Sequence, residues 1–433
     1  MSVKDCFADP VLNSAIKKTW RRLMPFMFIM YFVAFIDRVN IGFAKQAFAA
    51  DINLSDSAYA LGAGIFFASY AICGVPANLM MNKLGAKRWL GATTIVWGAL
   101  SALTGFVSNE IEFIILRFLL GMAEACFYPG ILLLAAIFFP NKIRGAAIGI
   151  FVLGVPLALT LGSPLSGALL ELHGLFGKPG WFWMFVIEGI PAVILGLICF
   201  FYLDDTPAQA RFLTQQERAA LVNQLVSEQK KVETSSVSSA LKNLKVWHLA
   251  LIYGTIQIGV YGLIFFLPSQ VAGIMGTTVG FKASLVSAIP WAISALGVYF
   301  IPRYTDKHTN KRVSISILCM VAAAFGLALS AYASPVIAII ALCLCATGFL
   351  AVQPIFWTFP PQLLSGCGLA AGIGFITTIG AVCSFLAPNI RVYADQYLGQ
   401  AIDGAGLVVL SLFTIICALL IAMLGKTYNR LSE

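Results

Sequence analysis

Of the charged side chains inside long apolar runs of this sequence, where a charge most needs a chemical reason, four stand in two pairs. Asp37 and Arg38 are neighbours in the first run, and Arg117 and Glu124 stand seven residues apart in the fourth. In a helix, seven steps of 100° return to nearly the same face, about 10 Å further along the axis. A buried carboxyl can take up and release a proton, and an arginine can hold a carboxylate through two parallel hydrogen bonds. The pattern therefore predicts a site that binds an organic anion and exchanges protons.

A simpler interpretation is that these groups form static ion pairs between helices. An ionisable group in hydrocarbon is costly, and it usually faces a bundle interior or a water-filled cavity. We favour the functional interpretation for Asp37, Arg38 and Glu124, whereas Arg117 could also serve only to tune Glu124. Glu188, in the sixth run, is expected to make a structural hydrogen bond to a neighbouring helix.

Further polar and aromatic residues in the apolar runs are candidate contacts for the substrate. They are Asn40, Tyr70, Gln353, Trp357 and Thr377. The three histidines have no partner at the spacing of a metal site, so no metal is expected. Motifs of membrane proteases, ATP-driven pumps and dinucleotide enzymes are absent from the sequence, which argues against an enzyme and against a cofactor.

The composition identifies the surroundings of these residues. Of the 433 residues, 60% are hydrophobic and 11% are charged, against about 45–50% and about 25% in soluble domains. A soluble core cannot shield so much apolar surface from water. The composition excludes a soluble enzyme, a disordered chain and a nucleic-acid binder, and the partner that it implies is the lipid bilayer.

Apolar runs long enough to cross about 30 Å of hydrocarbon recur along the whole chain. The sequence predicts an all-α membrane protein with twelve transmembrane helices. Their expected ranges are 24–48, 58–81, 89–107, 112–138, 146–169, 181–203, 248–272, 284–301, 313–332, 335–357, 368–390 and 404–425.

The basic residues predict the orientation of these helices. The net charge is +9, and 22 of the 28 lysines and arginines fall on the side that carries both termini. Because positive residues accumulate in cytoplasmic segments, both termini are expected in the cytoplasm.

One long polar stretch divides the chain into two sets of six helices. We expect a six-helix bundle at 1–203, a cytoplasmic linker at 204–247 and a second bundle at 248–433. Thr214 and Glu217 have the spacing of a capping box, which predicts a short amphipathic helix in the linker. Similar basic loops follow the second and the eighth run, and this indicates a parallel repeat with a site between the halves.

These motifs resemble the anion:cation symporters of the major facilitator superfamily. The matching stretches are 35–42 (FIDRVNIG), 74–78 (GVPAN), 117–130 (RFLLGMAEACFYPG) and 203–207 (LDDTP), and the resemblance covers nearly the whole chain. It implies the two-bundle fold of that superfamily. It also implies that Asp37 and Glu124 carry protons, that Arg38 binds the substrate carboxylate, that Arg117 interacts with Glu124 and that Tyr70 lines the site.

The function expected from the residues and the resemblance together is secondary transport. We expect a proton-coupled symporter that imports a monocarboxylate sugar acid, an aldonate such as L-rhamnonate. The alternatives are a symporter of another organic anion, of the tartrate, phthalate or hydroxyphenylacetate type, or an anion antiporter or exporter. A sensor without transport activity ranks last. The expected location is the bacterial inner membrane, as a multi-pass monomer.

Overall fold

The computed structural model describes residues 7–229, 243–360 and 366–432, and they fold mainly into helices. Twelve of these are long and apolar enough to cross a membrane, which confirms the predicted number. We name them α1 to α12. Their bounds are α1 Pro10–Ile52, α2 Asp56–Leu84, α3 Ala86–Leu103, α4 Glu110–Glu124 continued by Phe127–Phe138, α5 Asn141–Val152 continued by Gly154–Leu170, α6 Gly180–Tyr202, α7 Leu244–Ile264 followed by Leu267–Ile274, α8 Phe281–Lys307, α9 Arg312–Tyr332, α10 Pro335–Phe356, α11 Gly366–Leu398 and α12 Ala405–Ser432.

Prolines explain where three of these helices are interrupted. The apolar runs predicted α4, α5 and α7 as continuous, but each is broken. A helical proline has no N–H and its ring clashes with the carbonyl four residues earlier. Pro129, Pro156 and Pro268 stand four residues after Ala125, Val152 and Ile264, where the breaks begin.

The same rule accounts for the end of α10. This helix ends at Phe356, four residues before Pro360, while Pro361 lies outside the described residues. Other prolines, such as Pro191 in α6, lie within continuous helices, so a proline permits a break without enforcing one.

The helix contacts repeat when six is added to every label. In the first half α1 packs on α5 and α6, α2 on α4, and α3 on α4 and α6. In the second half α7 packs on α11 and α12, α8 on α10, and α9 on α10 and α12. The halves meet through α2 against α11 and α5 against α8. When six is added to each label, with twelve subtracted from any sum above twelve, each of these two contacts becomes the other.

Small residues allow the close approach at these contacts between halves. A Cβ added at Gly64 of α2 would lie 2.5 Å from the carbonyl oxygen of Phe385 in α11. A Cβ at Gly167 of α5 would lie 2.5 Å from the Cβ of Ser284 in α8.

α1 begins fourteen residues before the apolar run predicted for it, and it reaches the linker. Asp9 caps the helix by accepting a hydrogen bond from the Val11 N–H at 2.8 Å, with Pro10 at the first position. Further along, Ser14 donates to Glu217 at 2.7 Å and Lys18 pairs with the same carboxylate. A search for apolar runs misses this segment because its outer face is polar and basic.

The linker helix spans Gln215–Gln229 and packs on α1. The predicted capping box is confirmed, because the Thr214 N–H donates to Glu217 and the Glu217 N–H donates to the Thr214 hydroxyl. Burial opposes ionisation of Glu217, but hydrogen bonds from Lys18, Thr214 and Ser14 outweigh it and lower the pKa of Glu217 to about 2.

Parts of the predicted organisation fall outside what can be described. Linker residues 230–242 lie outside the described residues, as do the side chains of Asn82 and Asp306 in the two basic loops. α7 begins at Leu244, four residues before the predicted start of the second bundle.

Candidate functional site

A buried ion pair between α1 and α4 lies at the centre of the candidate site. Arg38 Nη2 donates to Glu124 Oε1, and neither side chain is more than 9% exposed. Glu124 Oε2 and Arg38 Nε have no hydrogen-bond partner among the described residues. Glu124 is the last residue of the first segment of α4, directly before the break that Pro129 explains. The pair therefore keeps unused hydrogen-bonding capacity on both partners.

Aromatic rings surround the guanidinium of Arg38. Its Cζ lies 5.3 Å from the ring centroid of Phe66 and 5.5 Å from that of Tyr70, both on α2. Arg38 Nη1 also lies 3.5 Å from the hydroxyl of Tyr261 on α7. Tyr261 belongs to the other half of the molecule, so Arg38 is a point where the two halves meet.

More tyrosines share this space than the sequence analysis selected. Tyr31 acts electrostatically on Arg38, and Tyr128 and Tyr253 belong to the same group of interacting side chains. Tyr31 precedes Arg38 by seven residues, so it stands on the site-facing side of α1, and Tyr128, just beyond the break in α4, lies 5.8 Å from it between ring centroids. The spacing of Tyr31 could have identified it from the sequence.

Arg117 is buried but does not pair with Glu124. Its Nε donates to the carbonyl oxygen of Gly62 at 3.3 Å, and its Cζ lies 5.0 Å from the centroid of Phe66. Arg117 Nη2 has no hydrogen-bond partner in the part of the chain that is described. In this conformation the Glu124 carboxylate pairs with Arg38, whereas the resemblance implied an interaction with Arg117. Phe66 lies close to both guanidinium groups.

Asp37 points away from its neighbour Arg38 and towards α3. It accepts hydrogen bonds from Ser101 Oγ at 2.9 Å and from Trp97 Nε1 at 3.2 Å, and it is 1% exposed. Successive residues of a helix project about 100° apart, so the two side chains serve different surroundings. The Asp37 side chain therefore lies on the side of α1 that faces α3, apart from the Arg38–Glu124 pair.

Asn40 also lies on the far side of α1 from Arg38. Its amide is beside the carboxyl of Glu188 on α6, yet neither of its polar atoms meets hydrogen-bond geometry with any described residue. Glu188 accepts a hydrogen bond from Ser166 Oγ of α5 at 2.6 Å, as expected of a residue that joins helices. This places Asn40 with Glu188, whereas the sequence analysis grouped it with the substrate ligands.

The three candidates in the second half occupy α10 and α11. Trp357, at the end of α10, contacts Tyr253 of α7 with the two rings tilted and their centroids 4.9 Å apart, which connects it to the group of tyrosines. Gln353 is half-buried and lies 3.5 Å from the carbonyl oxygen of Phe349 in its own helix. Thr377 directs its hydroxyl to the carbonyl oxygens of Ile373 and Gly374. Trp357 has the most direct contact with the site.

Hydrogen bonds join the two halves at the end of the molecule opposite the termini. Tyr59 donates to the carbonyl oxygen of Phe265 at 3.0 Å. The N–H groups of Val279 and Phe281 donate to Gln46 and Glu171 at 2.8 and 3.0 Å. We call these three hydrogen bonds the opposite-side seal.

The arrangement suits anion binding and proton exchange more than metal chemistry. Among the described residues, no group of three or more His, Cys, Asp or Glu side chains could hold a metal ion. Arg38 is a buried cation at the contact between the halves, and Glu124 is the acid that pairs with it.

Comparison with known proteins agrees with this architecture. Residues 27–388 match the family model described as Major Facilitator Superfamily. The chain is 56% identical to the inner membrane transport protein RhmT of Escherichia coli (strain K12), with 95% of each chain covered. It is 39% identical to a protein of Agrobacterium vitis named "Putative tartrate transporter", covering 93% of this chain and 91% of the relative.

A solved structure shows the same fold at low sequence identity. It is a bacterial homologue of the human lysosomal transporter Spinster, with a TM-score of 0.73 and 19% identity, covering 95% of this chain and 98% of the other. Relatives and fold are those of multi-pass membrane transporters, not enzymes. With most of its length matched by the family model and a relative at 56% identity, the chain belongs to the major facilitator superfamily.

Proposed function

We propose that this transporter is a proton-coupled symporter that imports a monocarboxylate sugar acid, an aldonate such as L-rhamnonate. The observation that carries the proposal is the buried Arg38–Glu124 pair, which is contacted across the two halves by Tyr261. A pair that served only to hold helices together would not need to lie at the contact between the two halves, which rearranges in the proposed transport cycle.

The pair supplies a direct way to couple proton and anion. With Glu124 ionised, Arg38 is neutralised by the protein and its affinity for an external carboxylate is low. A proton on Glu124 removes that competitor and leaves a buried guanidinium without a counter-charge, which is strongly unfavourable. A substrate carboxylate then restores neutrality through the bidentate geometry that an arginine offers. Proton binding thus favours anion binding at the same site.

Charge balance favours more than one proton per substrate. A negative interior opposes entry of a monoanion by about 2.3 kcal/mol per 100 mV, and a single proton only cancels that charge. A second proton makes each cycle carry one positive charge inward, so the membrane potential then drives uptake. Asp37 and Glu124 are the two buried acids that we assign to coupling, with Arg117 close enough to Glu124 to act on its charge.

The remaining contacts to substrate are assigned by position. Tyr70 lies beside Arg38 in the first half, and Trp357 contacts Tyr253 in the second half. Gln353 and Thr377 would contribute only after side-chain rotation, and Asn40 would act indirectly through α1.

The proposed setting is the bacterial inner membrane, with the protein as a monomer and both termini in the cytoplasm. The name of the Escherichia coli relative and the basic residues on the side of the termini support this setting. In that orientation the opposite-side seal closes the outer face.

Two observations bear on the alternatives. The relatives from Agrobacterium vitis are named for tartrate, which keeps other organic anions in view. A relative from Acinetobacter baumannii at 34% identity is named a quinolone resistance transporter, and an exporter is the second candidate. A sensor without transport activity remains the least favoured function.

The test is charge movement in proteoliposomes on a solid-supported electrode. L-rhamnonate, tartrate, phthalate and hydroxyphenylacetate would be applied at fixed pH and with imposed pH gradients. We expect an inward positive current with the aldonate, larger when the side of entry is acidic. Uptake of a different anion alone would reassign the substrate. An absence of proton dependence with every anion would refute the symporter.

A further inference from the structure

A group of buried polar side chains without an assigned role lies on the side of α1 that faces away from the Arg38–Glu124 pair. It comprises Asp37 and Asn40 of α1 and Glu188 of α6, and all three are nearly inaccessible to solvent, at 1%, 1% and 4% exposure. Asp37 and Asn40 are three residues apart, so they share one face of α1 within a single turn. Asp37 and Glu188 interact electrostatically across the two helices.

No cation neutralises these two carboxyl groups at close range. Among the described residues, no lysine or arginine lies within salt-bridge distance of Asp37 or Glu188, and the donors to them are neutral. From α3 these donors are Trp97 and Ser101, and from α5 the donor is Ser166. The charged groups of α4, Arg117 and Glu124, interact with Asp37 electrostatically, and neither makes a salt bridge or hydrogen bond to it within the described part of the chain. Two bare carboxylates in this location would repel each other without compensation.

The hydrogen bonds are shared unequally between the two acids. Asp37 accepts two, from Ser101 and Trp97, which suits an ionised group. Glu188 accepts one, and its Oε2 has no partner among the residues that the structure describes.

Asn40 can pair with Glu188 in either protonation state. Its amide nitrogen can donate and its amide oxygen can accept, neither atom has a partner among the described residues, and the amide lies beside the Glu188 carboxyl. An ionised Glu188 would accept from the amide N–H, and a protonated Glu188 would donate to the amide oxygen. A buried polar group without a partner is unfavourable, so the amide favours whichever pairing the proton permits. A residue that only joined α5 to α6 would not need this second partner.

From this geometry we propose that Glu188 is a proton-holding residue of the transport cycle. It shares with Asp37 the second of the two protons in the proposed function, on which this inference rests. One proton resides on the Asp37–Glu188 pair, and Asn40 follows its position by reorienting its amide. The proton leaves as the helices around α1 rearrange, and no covalent bond other than O–H changes.

The test compares charge moved with substrate moved in proteoliposomes, for the wild type and Glu188→Gln. Glutamine keeps the size of the side chain and the hydrogen bond to Ser166 but cannot titrate. We expect the wild type to carry one positive charge inward per substrate and Glu188→Gln to carry none, while substrate exchange continues. Ser166→Ala is the matched variant, since it removes the hydrogen bond and keeps the acid. It should retain the charge-to-substrate ratio of the wild type.

The outcomes separate this inference from the function on which it rests. Equal charge per substrate in the wild type and Glu188→Gln overturns the role of Glu188 and leaves the symporter standing. Absence of proton coupling in the wild type overturns both. A requirement for sodium ions at fixed pH that Glu188→Gln abolishes also overturns the proposal, because the oxygen atoms would then hold a metal cation.

A second measurement does not depend on the folding of Glu188→Gln. Infrared difference spectra of the purified wild type would be recorded between high and low pH. We expect a protonated-carboxyl band whose frequency shifts in Ser166→Ala, because that hydroxyl donates to Glu188. A spectrum in which Ser166→Ala alters no carboxyl band overturns the proposal.

Discussion

Replacement of Arg38 by lysine separates the charge of the anion site from its geometry. Arg38→Lys keeps a positive charge beside Glu124, so the buried carboxylate is not left without a counter-charge. A lysine ammonium cannot offer the two parallel N–H groups of a guanidinium. We therefore expect a folded protein in the membrane that binds its substrate weakly.

The size of the effect follows from the contact that is lost. One hydrogen bond to a charged group contributes about 1.5–3 kcal/mol. Loss of one arm of the fork should therefore weaken substrate binding about 10- to 150-fold. Arg38→Ala should abolish uptake, because it removes the cation and leaves Glu124 buried and unpaired, a change that costs about 3–5 kcal/mol.

The assay is substrate affinity of purified protein in detergent, by thermal shift or calorimetry, followed by uptake in proteoliposomes. Arg391→Lys is the matched control. Arg391 is equally buried at 7% exposure, but it donates to the carbonyl oxygen of Gly262 in the second half. It should lower stability and leave affinity nearly unchanged. Arg38→Lys with affinity within about threefold of the wild type would refute the reasoning.

Three further changes test coupling, the linker and the closing of the halves. Glu124→Gln mimics the protonated acid, so exchange of substrate should continue while uphill uptake fails; equal loss of both would indicate a structural role. Glu217→Gln should lower the stability of the folded protein by about 1–3 kcal/mol at pH 7 through its contact with Lys18. Because the pKa of Glu217 is lowered to about 2, the advantage of the wild type should be complete above its ordinary pKa of 4.5 and vanish as the pH falls through about 2. Thermal melts across that range check this, and a difference that persists at the lowest pH would contradict it. Gly64→Ala places a Cβ 2.5 Å from the Phe385 carbonyl oxygen, so it should hinder the approach of α2 to α11 and slow uptake. Chemical labelling of cysteines introduced near the opposite-side seal should then increase. Unchanged labelling would argue against the α2–α11 contact as part of the seal.

Much of the fold was predictable because its causes are local. Hydrocarbon thickness determines how long an apolar run must be, so twelve runs predicted twelve helices. The breaks in α4, α5 and α7 also have a local cause, since each follows from a proline four residues further along. The predicted ranges missed them because hydropathy averages over the proline that causes the break.

The long start of α1 was missed for a different reason. Its cap at Asp9 and its contacts with Glu217 join segments about 200 residues apart in the chain. The capping box at Thr214 and Glu217 was visible in the sequence, but its docking on α1 depends on the packing of the two helices.

The sequence by itself determined which charges are in the membrane and at what depth. It identified Asp37, Arg38, Arg117 and Glu124 because any charge in an apolar run stands out, and it showed that Asp37 and Arg38 must point in different directions. It contained no information on which neighbours they meet, since the angle at which each helix faces its neighbours is set by packing across the whole bundle.

Only the tertiary structure decided the partners. It placed Arg38 with Glu124 and Tyr261, turned Asp37 towards α3, and put Glu188 and Asn40 beside each other. Glu188 had been interpreted as a structural residue because a lone acid in a run has no visible partner in the sequence. Its neighbours come from α1 and α5, more than 20 residues away along the chain, and only the folded chain brings Asn40 beside it and Ser166 within hydrogen-bonding distance.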